Sequence, residues 1–472
     1  MYIMSGPQPS ERVGLTQGLG PYAATAVVAG TIIGTGIFLV PSLMLAHVGS
    51  PVRVVEVWIV AGVLSLFGAL GYAELGAALP QAGGEYVYLR EAYGPGMGFL
   101  YGWTQFVVAK AASIATIATG FLLYATYFFP GLARVIWELP GASREHASVF
   151  RLTGLQLGAA VLILLLSGLN VLGVRRSGAV QTGFTAAKLG VLAILIGFGL
   201  TSGHGSFDHF RSAVPVSAGT TATSGFLLAT VSALWAYDGW NNLSMVAGEV
   251  KDPRRNMPLA LIAGFLLVLA VYLLANLAYF YVLAPAEAVG TNTIAVDAAR
   301  RFLGSSGGTF VAVGVLVSTF ASLNGSILSG SRIPYAQAQD QLLPGALARV
   351  HPRYRTPHVA ILAQAVLAGA FALTGAYEAL YTKAIYSEWI FYLLVTAGLL
   401  ILRRKRPDLP RPYRVWGYPV IPLAFVTLAV LLLADTLRER PADALWSLGL
   451  VASGVPAYFV WRAFSAHPAR NH

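Results

Sequence analysis

The sequence predicts an all-α polytopic membrane protein with twelve transmembrane helices. Helices 1–5 and 6–10 would form a 5+5 inverted-repeat core with helices 1 and 6 discontinuous, and two peripheral helices would follow. Three observations predict this. Only 11% of the 472 residues are charged and 56% are hydrophobic, whereas an ordinary soluble domain carries about 25% charged residues. A soluble chain this long could not cover its surface with so few polar groups. Twelve apolar stretches of roughly 20 residues follow one another, the length that crosses a ~30 Å hydrocarbon core as a helix. Two of these stretches, five apart in order, are interrupted at mid-length by glycine and polar residues.

The stretches cover residues 19–47, 54–79, 96–129, 152–173, 177–201, 221–249, 257–283, 309–336, 358–375, 379–402, 417–436 and 443–463, and are called spans 1 to 12. Lipid offers no partner for backbone N–H and C=O groups, so each must be a helix or a strand of a closed barrel. Barrel strands need about 10 residues with alternating polarity, and that alternation is absent. The chain divides into an N-terminal tail (1–18), a first repeat (19–201), a loop (202–220), a second repeat (221–402), spans 11 and 12 with a preceding basic loop (403–463) and a C-terminal tail (464–472). Met1 to Gly14 is polar and lacks the basic-then-apolar layout of a cleavable signal peptide, so span 1 is expected to be retained. The absence of cysteine excludes disulfides, thiol catalysis and cysteine-bound metal.

The net charge of +11 reports orientation, not nucleic acid binding. With twelve spans both termini share one side. The loops and tails of that side hold 18 Lys and Arg, including Arg175, Arg176, Lys251, Arg254, Arg255, Arg353, Arg355 and Arg403 to Arg406, against 9 on the other. Both termini are therefore expected in the cytoplasm of a cell whose plasma (inner) membrane holds the protein. Besides Arg462 in the last turn of span 12, which is counted with the tail, four basic residues fall inside spans. Arg332 and Lys383 lie near span ends, where long side chains snorkel to the interface. Lys110 and Lys188 lie near mid-span, where a lysine costs about 2.5–3.5 kcal/mol on insertion scales, so each must face protein or water.

Span 1 contains Gly30-Thr31-Ile32-Ile33-Gly34-Thr35-Gly36. Interior glycines cost about 1 kcal/mol each and the β-branched neighbours add to this, which places the unwinding point at Gly34-Thr35-Gly36. Close packing through the Gly30/Gly34 pair is the competing account. Span 6 contains Trp235-Ala236-Tyr237-Asp238-Gly239-Trp240-Asn241-Asn242, an acid, a glycine and two amides in an apolar stretch. Non-helical backbone at that depth is tolerated where it is buried in protein or lines a cavity. Paired interruptions in corresponding positions of two halves point to a transporter binding site. Because each half has five spans, the second must be inverted.

At such breaks the bare N–H groups attract an anion and the bare carbonyls attract a cation, so two facing breaks suit a zwitterion. The donors would be the amides of Thr35 and Gly36 with the Thr35 hydroxyl. The acceptors would be the carbonyls near Ile32 and Ile33 and those near Trp235 and Ala236. An α-amino acid carries both charges close together, and its side chain would be read elsewhere in the pocket.

These segments resemble the amino acid–polyamine–organocation superfamily, and within it the L-amino acid transporter branch. The likeness is carried by Gly34-Thr35-Gly36-Ile37-Phe38, by Trp235 to Asn241, by Gly248-Glu249-Val250-Lys251-Asp252-Pro253-Arg254-Arg255-Asn256-Met257-Pro258, by Asn276-Leu277-Ala278-Tyr279-Phe280 and by Ser322-Leu323-Asn324-Gly325. Arg355-Thr356-Pro357, Arg406-Pro407-Asp408 and Gly454-Val455-Pro456-Ala457-Tyr458 extend it to span 12. The resemblance implies alternating access and the zwitterion site already inferred, with Trp235 closing over bound substrate. It implies that Lys188 stands where sodium-coupled relatives hold a cation, tying helices 1, 5 and 8 together with Ser318, Thr319 and Ser322 as candidate partners. The expected function is sodium-independent transport of L-amino acids, as an exchanger of neutral amino acids. The alternatives are proton coupling and a cation-preferring amino acid or polyamine carrier.

Two departures from the family pattern bear on specificity. Thr35 stands where serine is frequent. Asp238 stands where many animal members have a small residue, and could contact a cationic substrate, hydrogen-bond the frayed helix or pair with a base; Lys110 is the candidate partner or a second electrostatic element. Tyr386, Ser387 and Glu388 on span 10 are further candidates, Glu388 as an ion-pair member or pathway residue. Animal members are joined by a disulfide to a heavy chain, which a chain without cysteine cannot form, so function as a monomer in the bilayer is expected, with no cofactor and no metal. An intramembrane enzyme is disfavoured because His47, His146, His204, His209, His351, His358, His467 and His472 all fall in loops, tails or span ends. A channel remains a rival that counterflow would distinguish, and no loop is long enough for a soluble signalling domain.

Overall fold

The computed structural model describes residues 19–81, 83–139, 150–172, 177–216, 221–354, 356–375 and 377–465. The two tails at 1–18 and 466–472 lie outside these residues, as do Arg144, Arg175, Arg176, Arg355, His146, His467 and His472 of the charge and histidine arguments.

Apart from the interruptions in spans 1 and 6, the apolar spans are helical where described. Among the described residues nine helices are long and apolar enough to cross a bilayer, or ten when the bent pair in span 1 is one span. His358–Thr374 is apolar but shorter, and span 6 is short because it is interrupted. Span 1 consists of Pro21–Ile32 and Gly36–Val48, bent by 41°. The first half opens on a proline that needs no N–H partner there. It ends because Ile33 turns to extended backbone (ψ 90°). In span 6, Ala222–Tyr237 starts at Thr221, whose side chain accepts from Ser224 N at 3.2 Å. It stops where Asp238 becomes extended and Gly239 takes φ +110°, and the chain resumes as the single turn Asn242–Met245.

Span 3 holds a feature that hydropathy does not reveal. A π-helical turn, Gln105–Ala109, separates Pro95–Thr104 from Lys110–Ala125. Such wide turns re-aim the residues that follow them, here Lys110. Span 8 begins earlier than expected, in Ile294–Gly330, which is kinked at Gly304 (φ 66°), and its distal part is a separate helix, Arg332–Gln339.

The expectation of an all-α chain needs one correction. The connection after span 3 carries a two-stranded antiparallel hairpin, β1 (Val135–Leu139) and β2 (Phe150–Thr153), with Glu138 opposite Arg151 and their side chains paired at 2.9 Å. Thr153 then caps span 4 reciprocally with Gln156, receiving its N–H at 3.4 Å while Gln156 Oε1 accepts from Thr153 N at 2.7 Å.

Burial differs between spans. In span 3, 78% of the apolar window is buried, in span 10 67% and in span 2 61%, against 33% in span 4, 28% in spans 5 and 11 and 22% in span 12. Buried aromatic rings pack edge to face around the span 6 break: Trp58 against Tyr237 and Tyr272, and Tyr72 against Trp240. At one end of the bundle Glu74, 1% exposed, accepts two hydrogen bonds from Arg403 (2.8 and 2.5 Å) and one from Val415 N (2.8 Å), with Arg411 at 3.4 Å. This clasp fixes the loop after span 10 to span 2. Lys383 is not a free snorkelling side chain: it is bonded to Asp443 of span 12.

Candidate functional site

The two breaks lie against each other. A Cβ on Gly36 would stand 2.5 Å from Ala236 Cα, and one on Gly239 would stand 2.8 Å from the Thr31 carbonyl. No side chain fits at either crossing, and Gly239 also needs its positive φ. Thr31 Oγ1 donates across the crossing to the Gly239 carbonyl at 2.9 Å. These two glycines therefore allow the close packing of the crossing. Gly34 differs, since a Cβ there would meet only ordinary contacts beyond 3.8 Å.

Among the backbone hydrogen bonds between described residues, none is made by the N–H groups of Gly34, Thr35 or Gly36, whereas Phe38 N already donates to the Thr35 carbonyl. The Thr35 hydroxyl departs from expectation: it stands 3.0 Å from the Tyr377 hydroxyl, which also accepts from Trp235 Nε1 at 3.0 Å. Trp235 stacks on Tyr381, and Tyr381 reaches Ser232 at 2.8 Å. An aromatic roof from the start of span 10 thus covers the gap between the breaks.

The predicted acceptors are already engaged. The Tyr272 hydroxyl lies 3.1 Å from both the Ile32 and the Ala236 carbonyls. Its one proton serves two oxygens, each of which keeps a lone pair. The Trp235 carbonyl accepts from Asp238 N at 3.2 Å. The Ile33 carbonyl faces away from the gap and is taken by Lys188, so it is not a free acceptor.

Lys188, 1% exposed, donates to the Gly30 carbonyl (2.9 Å), the Ile33 carbonyl (2.9 Å) and Ser322 Oγ (2.6 Å). Ser322 Oγ lies 3.1 Å from the same Ile33 carbonyl. The ammonium thereby binds spans 1, 5 and 8 where the first half of span 1 ends. Of the three span 8 hydroxyls expected near it, Ser322 alone meets it. Thr319 donates to the Val315 carbonyl within its own helix at 2.7 Å, and Ser318 Oγ has no hydrogen-bond partner. Both are a turn or nearly a turn away, because only one position per turn of span 8 can face Lys188.

A small cavity lies at the crossing. Of the sequence candidates it is lined by Ile32, Gly34, Thr35, Gly36, Lys110, Trp235, Asp238, Gly239 and Ser322, and also by Thr31, Ser113, Ile117, Asn242 and Ser326. Ile33, Ala236, Lys188, Ser318 and Thr319 do not line it. Asp238 accepts from the Tyr392 hydroxyl at 2.7 Å, whereas Lys110 donates to Asn242 Oδ1 at 3.0 Å. The two are not an ion pair. Asn241 Nδ2 donates to Glu85 Oε1 at 2.7 Å, from the short helix Glu85–Tyr93 between spans 2 and 3.

Tyr272, Tyr377 and Glu85 were not reached from sequence. Tyr377 and Tyr381 had one local signal, two phenols one turn apart at the start of a span; Tyr272 and Glu85 had none. Tyr386 and Ser387 do not line the cavity, Ser387 being turned to the Lys383 carbonyl at 2.8 Å.

The chain matches known proteins over nearly its whole length. A family profile described as amino acid permease matches residues 19–448. The serine/threonine exchanger SteT of Bacillus subtilis (strain 168) is 34% identical over 454 residues, covering 95% of this chain and 98% of that protein. The b(0,+)-type amino acid transporter 1 of Homo sapiens is 32% identical over 459 residues (96% and 90%), and the Asc-type amino acid transporter 1 of Homo sapiens 33% over 466 residues (97% and 85%).

Proposed function

The chain belongs to the amino acid permease family of the amino acid–polyamine–organocation superfamily, and from that premise we propose that it exchanges neutral L-amino acids across the plasma (inner) membrane by sodium-independent alternating access. The observation that carries this reading is the pair of facing helix breaks. Bare N–H groups at Gly34 to Gly36 suit a carboxylate, and the Ile32 and Ala236 carbonyls retain lone pairs for an ammonium. This backbone chemistry accepts any α-amino acid, and the serine/threonine exchanger SteT among the relatives supports exchange over net uptake.

Sodium independence rests on Lys188. A fixed ammonium that already satisfies two span 1 carbonyls and a span 8 hydroxyl leaves a metal cation nothing to coordinate there. The twelve-span plan with its inverted repeats, cytoplasmic termini and a monomer without a covalent partner completes the proposal. In this orientation the Tyr377 roof lies on the extracellular side.

A second reading is favoured by one observation. Asp238 lines the cavity with a carboxylate that has no basic partner, which suits a dibasic amino acid. Thermal unfolding of the purified protein with each of the twenty L-amino acids and putrescine separates the two. Stabilisation by alanine, serine or leucine is expected; stabilisation by lysine, arginine or putrescine alone would overturn the neutral assignment.

A further inference from the structure

The cavity at the crossing has a wall that the backbone of the two breaks does not supply. Lys110, Ser113 and Ile117 line it from span 3, at the i, i+3 and i+7 spacing that puts three residues on one helix face. Asn242 lines it from the first turn of span 6 after the break. The π-turn Gln105–Ala109 ends directly before Lys110, whose ammonium donates to Asn242 Oδ1 at 3.0 Å. Both partners are more than nine-tenths buried, Lys110 at 2% exposure and Asn242 at 6%.

This contact decides which end of the Asn242 amide faces the cavity. A lysine ammonium has three donors and no acceptor, so it bonds the oxygen of an amide and never the nitrogen. With Oδ1 held by Lys110, the Nδ2 group points the other way. Nδ2 meets no acceptor among the described residues. Unlike the Tyr72, Tyr88 and Tyr101 hydroxyls, it is not sealed in protein either, and the opening beside it is the cavity that Asn242 lines. The result is a buried, oriented donor on the wall. A hydroxyl or carboxamide oxygen in a substrate side chain can accept from it. A hydrocarbon side chain there leaves a desolvated donor unpaired, which is the stronger basis for discrimination. An ammonium or guanidinium offers donors alone, as Lys110 already does.

We propose that Lys110 is a positioning residue that turns the Asn242 amide, and that Asn242 Nδ2 selects amino acids whose side chain carries an oxygen acceptor, a hydroxyl or a carboxamide, over hydrocarbon side chains of the same shape. The inference rests on the amino acid transport reading and narrows its substrate class. The breaks hold the carboxylate and ammonium common to all amino acids, and the wall of Lys110, Ser113 and Asn242 reads the side chain.

Inhibition of labelled L-alanine counterflow in proteoliposomes tests it, with L-threonine set against L-valine and L-asparagine against L-leucine. Each pair differs in polar atoms and little in shape. In the wild type the oxygen-bearing member is expected to inhibit about tenfold more strongly. Asn242→Leu should bring both ratios to unity. Lys110→Met keeps the stem but releases the amide to turn, and should lower both ratios about threefold or more. Lys110→Arg, also a donor only, should keep them near the wild-type value. A merely structural role for Lys110 would weaken both members of a pair alike and leave the ratios where they were. Wild-type ratios of unity would overturn the proposal, and that measurement needs no variant to fold. Ratios kept in Asn242→Leu would overturn the donor, and ratios kept in Lys110→Met would overturn the positioning. Absence of any alanine exchange, with no amino acid stabilising the protein against heat, would overturn the transport reading itself, whereas exchange with equal inhibition within each pair would count against the side-chain reading alone.

Discussion

The Nε1–H of Trp235 donates to the Tyr377 hydroxyl at 3.0 Å, and the same hydroxyl stands 3.0 Å from Thr35 Oγ1. One phenol at the start of span 10 therefore joins the broken helices of spans 6 and 1. Its neighbour Glu378 is in turn bonded to Arg440 and lies 3.5 Å from His47, at the far end of span 1. The roof over the cavity is thus anchored to the end of span 1 and to the loop between spans 11 and 12.

Tyr377→Phe should loosen this roof while keeping the ring. It leaves the Trp235 N–H and the Thr35 hydroxyl without a shared partner, a loss of about 1–3 kcal/mol for buried groups. The expected result is a several-fold rise in the KM of counterflow with a lower Tm. An unchanged KM would remove Tyr377 from the substrate gate.

Gly36→Ala places a methyl group 2.5 Å from Ala236 Cα, in a crossing that involves backbone on both sides. Overpacking of this kind costs about 1–3 kcal/mol, and here it separates the two breaks. Transport should fall to background while the protein still inserts and purifies. Gly34→Ala, with open space before it, should be the milder change, and the reverse order would contradict the assignment of the crossing.

The order of these effects reflects what was legible in the residues. The breaks could be read because their cause is local: glycine, threonine and β-branched residues lower helix stability wherever they cluster. Lys188 could be read because a charge inside an apolar span must find a partner. The identity of partners was another matter. Tyr272 lies 240 residues from the Ile32 carbonyl it caps, and Glu85 lies 156 from Asn241, distances over which spacing carries no information. The π-turn at Gln105–Ala109 was equally silent, since its residues are ordinary helix formers and packing alone widens the turn. That turn helps aim Lys110 at Asn242, where the sequence offered Asp238.

Asp238→Asn should separate the two substrate readings. Inhibition of counterflow by L-lysine should weaken about tenfold, or ~1.4 kcal/mol, with inhibition by L-alanine less affected. Equal weakening of both would make Asp238 a structural residue that positions Tyr392.

Glu74→Gln tests the clasp at the other end of the bundle. Removing one charge of a buried pair leaves the others uncompensated and costs about 3–5 kcal/mol, here for Arg403 and Arg411 together. A drop in Tm of several degrees is expected, with the KM of any surviving transport unchanged. A normal Tm would show that the loop after span 10 is held by its own backbone contacts.

The central claim is that the two broken helices bind an amino acid and that Lys188 supplies the cation a sodium ion would otherwise provide. Counterflow of labelled L-alanine and L-serine into proteoliposomes preloaded with the same amino acid, in sodium-free buffer, tests it most directly. The account predicts saturable exchange that sodium does not accelerate and that Lys188→Ala abolishes. Exchange that requires sodium, or that survives Lys188→Ala at the wild-type rate, would contradict it.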